Sequence, residues 1–246
     1  MKATALEFRF RFAIHFAIFL LGFAAPWDYW LHLDGTGPNA HLWGSLAAVL
    51  ARPGIVGVAT AFDLVLCAGI VCAVVGAWLR TWGAAYLGAG VVQDRRMHGA
   101  GVVADGPYRY VRNPLYLGTF VHTLALALLM PVSGAIFAVV LIGVFQVRLI
   151  LAEEPFLAEK LGAAYCDYYA KVPRLWPAMR ARVSAGEARP QWGQAVVGEI
   201  YMWGVAVSFA VLGWRYNALL LTKCVLVSLG VSLVARGFRM KERPAA

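Results

Sequence analysis

Apolar runs that are long enough, or nearly long enough, to cross a bilayer dominate this 246-residue chain. A helix needs about 20 mostly apolar residues to cross a hydrocarbon core of about 30 Å. Hydrophobic residues make up 61% of the chain and charged residues only 14%, which excludes an ordinary soluble domain. We therefore expect an all-α, polytopic transmembrane bundle in which the third and fourth runs form a short helical hairpin. Six spans are predicted: Phe10 to Ala25, Val56 to Leu79, Leu115 to Met130, Val132 to Leu151, Ala195 to Leu212 and Ala218 to Ala235.

Basic residues are distributed unevenly around these runs. Lys and Arg near span ends concentrate on the cytoplasmic side of membrane proteins. With a cytoplasmic N-terminus, all but three of the 22 Lys and Arg fall on that side, the exceptions being Arg52, Arg215 and Lys223. The pattern predicts that both termini are cytoplasmic, in the inner membrane of a bacterium or the endoplasmic reticulum of a eukaryote. Topology and anionic lipid also explain the net charge of +9, and no nucleic-acid-binding module is visible.

The N-terminal segment bears on processing of the chain, and the four Cys bear on metal binding. The basic start, apolar run and "GFAAP" of the first segment are compatible with a cleaved secretory signal. The cluster of Trp27, Tyr29 and Trp30 that follows is typical of an interfacial aromatic belt and favours an uncleaved anchor. The four Cys form no CxxC and have no His at ligand spacing, so no metal site is indicated.

One polar stretch, "GPYRYVRNPLYLG" at 106–118, interrupts the apolar pattern. A short helix is expected to begin at Pro107 and to end near Arg112, and the third span is expected to begin with Asn113 as its N-cap. Such a helix start at the membrane surface can hold an anionic group. Tyr108 and Arg112 lie four residues apart and would share one helix face, where a Tyr ring can cover an aromatic base or a cation.

Two adjacent carboxylates, Glu153 and Glu154, follow the fourth run. Because runs three and four form a hairpin that turns near Pro131, these glutamates should return beside Asn113. Pro155 is expected to force Glu154 out of helical geometry, and carboxylates at a helix C-terminus oppose the helix dipole. The pair either lines a functional site or consists of solvated interfacial charges neutralised by nearby Arg.

Four ordered blocks carry a family resemblance: "LRTWGAAYLG" at 79–88, the 106–118 stretch, the Glu pair, and "LGAAYCDYYAKVPRLWP" at 161–177. Together they resemble the membrane methyltransferases that include isoprenylcysteine carboxyl methyltransferases and phospholipid N-methyltransferases. The resemblance implies S-adenosyl-L-methionine as methyl donor in a cytoplasmic pocket, and a lipid-like acceptor that enters from the bilayer. Because the sequence has no internal repeat or low-complexity tract, we expect a single membrane domain over 1–246, divided into N-terminal spans (1–78), a methyltransferase core (79–177) and a cytoplasmic linker with a C-terminal helical pair (178–246).

The resemblance, with the surface chemistry above, predicts the site residue by residue. The cofactor-binding group is Tyr108, Arg112, Asn113, Pro114, Tyr116, Gly118, Glu153 and Glu154. Many relatives have His where Asn113 stands, so proton transfer is not assigned to this position. Glu154 and Arg174 are the predicted catalytic residues.

The methyl acceptor stays open at this point. A carboxylate acceptor already has its nucleophilic oxygen and needs a cationic neighbour, such as Arg174 or Arg80. An amine acceptor must lose a proton, which requires a base such as Glu153 or Glu154. A lipid-like small molecule is favoured over a protein C-terminus, because no docking surface for a protein partner is indicated.

Two other function classes remain. A membrane reductase of the sterol-reductase type, using NADPH, would also place Arg, Tyr and Asn at the cytoplasmic face. A transporter or scaffold would be expected to have charges at mid-membrane, and only Asp63 approaches this. The roles of Asp63 and of His98, in the loop before the motif, are left open. Residues from Pro155 to Val172 are expected to form an amphipathic helix that roofs the pocket.

Overall fold

The computed structural model describes residues 2–25, 41–52, 54–88 and 102–241. These residues form ten α-helices and two 3-10 helices, and none of them belongs to a named strand. The predicted aromatic belt at Trp27, Tyr29 and Trp30, and also His98, lie outside the described residues. The α-helices are α1 (Ala5–Arg9), α2 (Arg11–Ala24), α3 (Leu42–Ala51), α4 (Val58–Leu87), α5 (Pro114–Ala127), α6 (Val132–Leu161), α7 (Ala163–Lys171), α8 (Trp192–Gly198), α9 (Ile200–Leu212) and α10 (Ala218–Lys241).

The helices α4, α6 and α10 are long and apolar enough to cross a membrane. Helices α8 and α9 together are also long and apolar enough, but they bend by 68° at Glu199, so the pair is either a broken span or a re-entrant loop. Three shorter apolar helices, α2, α3 and α5, complete the apolar part of the fold. The all-α, multi-pass prediction is therefore confirmed, whereas the number of six spans stays a prediction.

Helix α6 differs from the prediction at its C-terminal end. The helix continues through Glu153, Glu154 and Pro155 and ends only before Gly162, whose φ of +59° stops it. The expectation that Pro155 forces Glu154 out of the helix was wrong. Proline removes one backbone hydrogen bond, but ion pairs of the Glu154 side chain hold the same turn. The predicted amphipathic helix is consequently divided into the end of α6 and the separate α7.

The turn before α5 is also shorter than predicted. The helix that begins beside Pro107 is a 3-10 helix over Gly106–Arg109, and Arg112 lies beyond its end. The third span begins after Asn113, as expected, but the Asn113 side chain makes no capping bond to the helix. The Asn113 amide instead donates to Glu154 and to the Arg174 carbonyl oxygen.

Close backbone packing joins α4 to α5. A side chain at Gly76 would place its Cβ 2.7 Å from the Gly118 carbonyl oxygen, and one at Gly118 would place its Cβ 2.9 Å from the Gly76 carbonyl oxygen. Only glycine at both positions allows this approach. The α5 and α6 hairpin turns at Pro131, so the beginning of α5 and the end of α6 lie at the same end of the bundle.

Candidate functional site

A cavity of about 300 Å³ lies at the end of the bundle where α5 begins and α6 ends. Its walls come from α2, α4, α5, α6, α7 and the α8 and α9 junction. Seven of the predicted site residues line it: Tyr108, Arg112, Asn113, Pro114, Tyr116, Glu153 and Glu154. Two do not, since Gly118 packs against Gly76 and Arg80, and Arg174 lies behind Glu154.

Glu154 is the centre of an ion-pair network in the cavity wall. Arg112 donates to its Oε1 at 3.1 Å, and the Arg174 guanidinium lies 2.7 Å from its Oε2. The Asn113 amide also donates to Oε1, at 3.4 Å, and to the Arg174 carbonyl at 3.1 Å. The Glu pair therefore returns beside Asn113, as the hairpin predicts. Both oxygens of Glu154 are occupied by protein cations.

Arg112 ties the 106–118 stretch to α7. Its guanidinium lies 3.9 Å from the centre of the Tyr169 ring, and its Nη1 donates to the carbonyl oxygens of Tyr169 and, at 2.7 Å, Val172. Its backbone N–H donates to the Pro173 carbonyl at 2.8 Å. These contacts fix α7 against the beginning of α5.

Glu153 has a different environment. Its Oε2 accepts a hydrogen bond of 3.0 Å from the Tyr116 hydroxyl. Within the described part of the chain it forms no ion pair of 4.0 Å or less. Glu153 is thus the carboxylate of the pair that retains hydrogen-bonding capacity on the cavity side.

Three tyrosines form an aromatic part of the cavity wall. Tyr108, Tyr165 and Tyr168 are buried together, with the Tyr165 and Tyr168 ring centres 6.0 Å apart. The Tyr168 hydroxyl donates to the Tyr108 carbonyl at 2.9 Å. The Tyr108 hydroxyl is buried and has no hydrogen-bond partner among the described residues. Burial raises the pKa of Tyr108 far above its ordinary value, so this hydroxyl stays a neutral donor.

The segment between α7 and α8 packs over the 3-10 helix. Ala178 and Arg182 donate backbone hydrogen bonds to the carbonyl oxygens of Tyr110 and Arg109, both at 2.9 Å. Asp105 accepts from the backbone N–H groups of Gly186 and Ala188. This linker therefore forms a hydrogen-bonded cover over the 3-10 helix that carries Tyr108, although none of the linker residues lines the cavity itself.

Several lining residues were not predicted from the sequence. Arg11 and His15 of α2, Gln146 of α6 and Glu199 at the α8 and α9 bend all line the cavity. Glu199 forms a buried ion pair of 2.8 Å with Arg80. A Gln within the apolar run of α6 was the clue available, because polar groups in spans usually face the bundle interior.

Comparison with known proteins bears on this same region. Residues 64–164 match the phospholipid methyltransferase family. The chain is 38% identical over 85 residues to a protein-S-isoprenylcysteine O-methyltransferase of Schizosaccharomyces pombe. The chain is thus similar to membrane methyltransferases over its central segment. The match with the yeast protein covers 34% of this chain and 36% of that relative, and no solved structure matches the chain.

The matched family segment, 64–164, contains the α5 and α6 hairpin and the Glu pair, but not the whole cavity. Helix α2 and the α8 and α9 junction lie outside 64–164. The cavity wall is therefore built partly by the family segment and partly by elements that flank it.

Proposed function

We propose that the protein is an S-adenosylmethionine-dependent methyltransferase that acts on a lipid-like acceptor at the cytoplasmic face of a membrane. The observation that carries this proposal is the clustering of seven motif residues around one cavity at the beginning of α5. The proposed orientation places the cavity and both termini on the cytoplasmic side of the membrane, as the distribution of Lys and Arg predicts.

The residues around the cavity fit the three chemically distinct parts of the cofactor. The unpartnered Tyr108 hydroxyl and the rings of Tyr165 and Tyr168 suit a flat base with polar edges. Glu153 suits a cationic amino group. The N-terminus of α5, which has no side-chain cap, and the nearby Arg112 suit a carboxylate.

Bound there, the cofactor would supply an activated methyl group on a sulfonium. The chain's own contribution is positioning and exclusion of water, which matter more than acid-base groups in a direct displacement. The cover formed by α7 and the linker suits this role. Glu154 holds Arg112 and Arg174 in place, so we assign it to positioning the cofactor-binding group.

The acceptor is proposed to be a phospholipid amine, an isoprenylcysteine carboxylate or a related small lipid. Arg174, the sequence candidate for a carboxylate acceptor, does not line the cavity and is paired with Glu154, so we assign it to positioning Glu154. An amine acceptor would lose its proton along a solvent path, because Glu153 is assigned to the cofactor and both oxygens of Glu154 are paired. Arg80 is less suited to an acceptor than the sequence suggested, because Glu199 and Thr119 already accept its hydrogen bonds.

Transfer of radiolabel tests this function. Purified protein is incubated with methyl-labelled S-adenosylmethionine and, in separate reactions, with extracted membrane lipid and with a prenylated cysteine peptide. We expect label in the lipid fraction. Label in the peptide alone would contradict the preference for a small lipid, and label in neither, with acceptors from several membranes, would contradict the proposed activity.

A further inference from the structure

We propose that Arg11 and Gln146 form a second subsite of the cavity, which binds an anionic oxygen group of the acceptor. This inference rests on the proposed function in one respect, namely that the cavity also receives a methyl acceptor. The two residues come from α2 and from the middle of α6, and neither belongs to the predicted cofactor-binding group. Arg11 is outside the segment that matches the methyltransferase family.

Aromatic rings hold the Arg11 guanidinium at the cavity wall. Its Cζ lies 4.4 Å from the Phe8 ring centre and 4.6 Å from the Phe12 ring centre, and its Nη1 donates to the Phe8 carbonyl at 3.0 Å. The residue is only 8% exposed, although it lines the cavity. A cation that is fixed and largely removed from water binds an anion more strongly than a solvated surface cation.

Gln146 supplies an independent observation. It is 3% exposed, lines the cavity, and its side-chain amide nitrogen has no hydrogen-bond partner among the described residues. A buried donor without a partner is costly, so an acceptor in the cavity beside this nitrogen would be stabilising. Gln146 and Glu153 are seven residues apart on α6, which places both on one helix face about 10 Å apart along the axis.

Helix α2 passes α6 at this level. The His15 ring packs against Phe145, with the ring centres 5.2 Å apart, and Arg148 pairs with Glu7 at 2.8 Å. The His15 Nδ1 lies 2.7 Å from the Arg11 carbonyl oxygen, so this nitrogen carries the proton and donates. Arg11 and Gln146 thus present a guanidinium and an amide donor along the cavity wall. Phe12 and Phe19, which also line it, provide apolar surface for a hydrocarbon chain.

A donor pair beside apolar surface fits an amphiphile with a carboxylate or a phosphate. Two probes show which anionic group binds. An S-farnesyl N-acetylcysteine has a free carboxylate, and a lysophosphatidylethanolamine has a phosphate. The methyl ester of the first probe keeps the chain and removes the charge. Binding of each probe is measured by equilibrium titration of the full-length protein in lipid nanodiscs.

Arg11→Gln and Gln146→Leu are expected to weaken binding of at least one anionic probe by about ten- to a hundredfold, because each removes a hydrogen bond to a charged group. The methyl ester should bind equally to wild type and to both variants. The matched control is Arg9→Gln, which removes one exposed cation from α1 and should change no affinity. A thermal melt checks that each variant is folded, and Arg11→Lys, which keeps the charge, should restore part of the affinity.

Three results would overturn the subsite: neither anionic probe binds wild type, Arg11→Gln leaves both anionic affinities unchanged, or the methyl ester loses affinity equally. The affinity for S-adenosylhomocysteine is measured on the same samples and should be unchanged in both variants. Its loss in Arg11→Gln would assign Arg11 to the cofactor group and would also overturn the proposal. A wild type that binds the anionic probe but no S-adenosyl ligand would contradict the proposed function while leaving the anion subsite supported.

Discussion

The two adjacent glutamates of α6 have different partners, and this difference separates their expected roles. Glu154 is bonded on both oxygens by Arg112 and Arg174, whereas Glu153 accepts one hydrogen bond, from Tyr116. We therefore expect Glu153, more than Glu154, to contact a cationic group of the cofactor directly.

Glu153→Gln is expected to lower the affinity for S-adenosylhomocysteine by about ten- to a hundredfold. The physical reason is the loss of a charge-assisted hydrogen bond of about 1.5 to 3 kcal/mol inside the cavity. Isothermal titration of detergent-purified protein measures the change. Glu159→Gln, on the exposed side of the same helix end, is the matched control and should bind as wild type does. Equal affinities for Glu153→Gln and wild type would rule out this role.

Glu154→Gln is expected to lower the stability of the fold and also the affinity for the cofactor. The side chains of Arg112 and Glu154 are only 7% and 6% exposed, and removal of one partner leaves a buried cation uncompensated, at a cost of about 3 to 5 kcal/mol. A lower midpoint in a thermal melt is the measurement. The double variant Glu154→Gln, Arg112→Met should have a higher unfolding midpoint than Glu154→Gln alone. An equal midpoint would mean that the unpaired Arg112 cation does not cause the destabilisation.

At the scale of elements, the contact between α4 and α5 depends on two small residues. Gly118→Ala is expected to lower the unfolding midpoint through overpacking, which typically costs about 1 to 3 kcal/mol, because its Cβ would meet Arg80 and the Gly76 backbone. Gly230→Ala in α10, where a Cβ would meet nothing within 4 Å, is the control. A Gly118→Ala protein that is as stable as wild type but has lost cofactor affinity would contradict this packing role and would support the prediction that Gly118 belongs to the cofactor-binding group.

One carboxylate, Asp105, holds the part of the linker around Gly186 and Ala188. Asp105→Ala removes the acceptor for the backbone N–H groups of Gly186 and Ala188, so we expect faster tryptic cleavage after Arg182. Asp167→Ala, an exposed acidic residue on α7, should cleave at the wild-type rate. If both variants are cleaved equally, Asp105 does not anchor this cover.

How far the sequence predicts these elements depends on whether the deciding contacts are local. The apolar runs predicted the helices, and the turn at Pro131 predicted that Glu154 meets Asn113. The helix through Pro155 was missed, because its side-chain ion pairs involve residues far along the chain. The bend at Glu199 was missed for a similar reason, since its partner Arg80 lies on α4.

At the scale of the whole molecule, the cavity joins three parts of the chain. The family segment provides the Glu pair and the α5 N-terminus, α2 provides Arg11 and His15, and the C-terminal part provides Glu199 and the α9 wall. The motif residues could be found from sequence because they are contiguous. The flanking residues could not, because single polar side chains in apolar helices acquire a site role only when the helices pack.

Titration of the purified protein with S-adenosylhomocysteine and, separately, with NADPH tests the central claim most directly. The account predicts one S-adenosyl site per chain, weakened by Glu153→Gln and unchanged by Glu159→Gln, and no binding of NADPH. Binding of NADPH at this cavity without any binding of the S-adenosyl ligand would contradict the claim and would favour a membrane reductase.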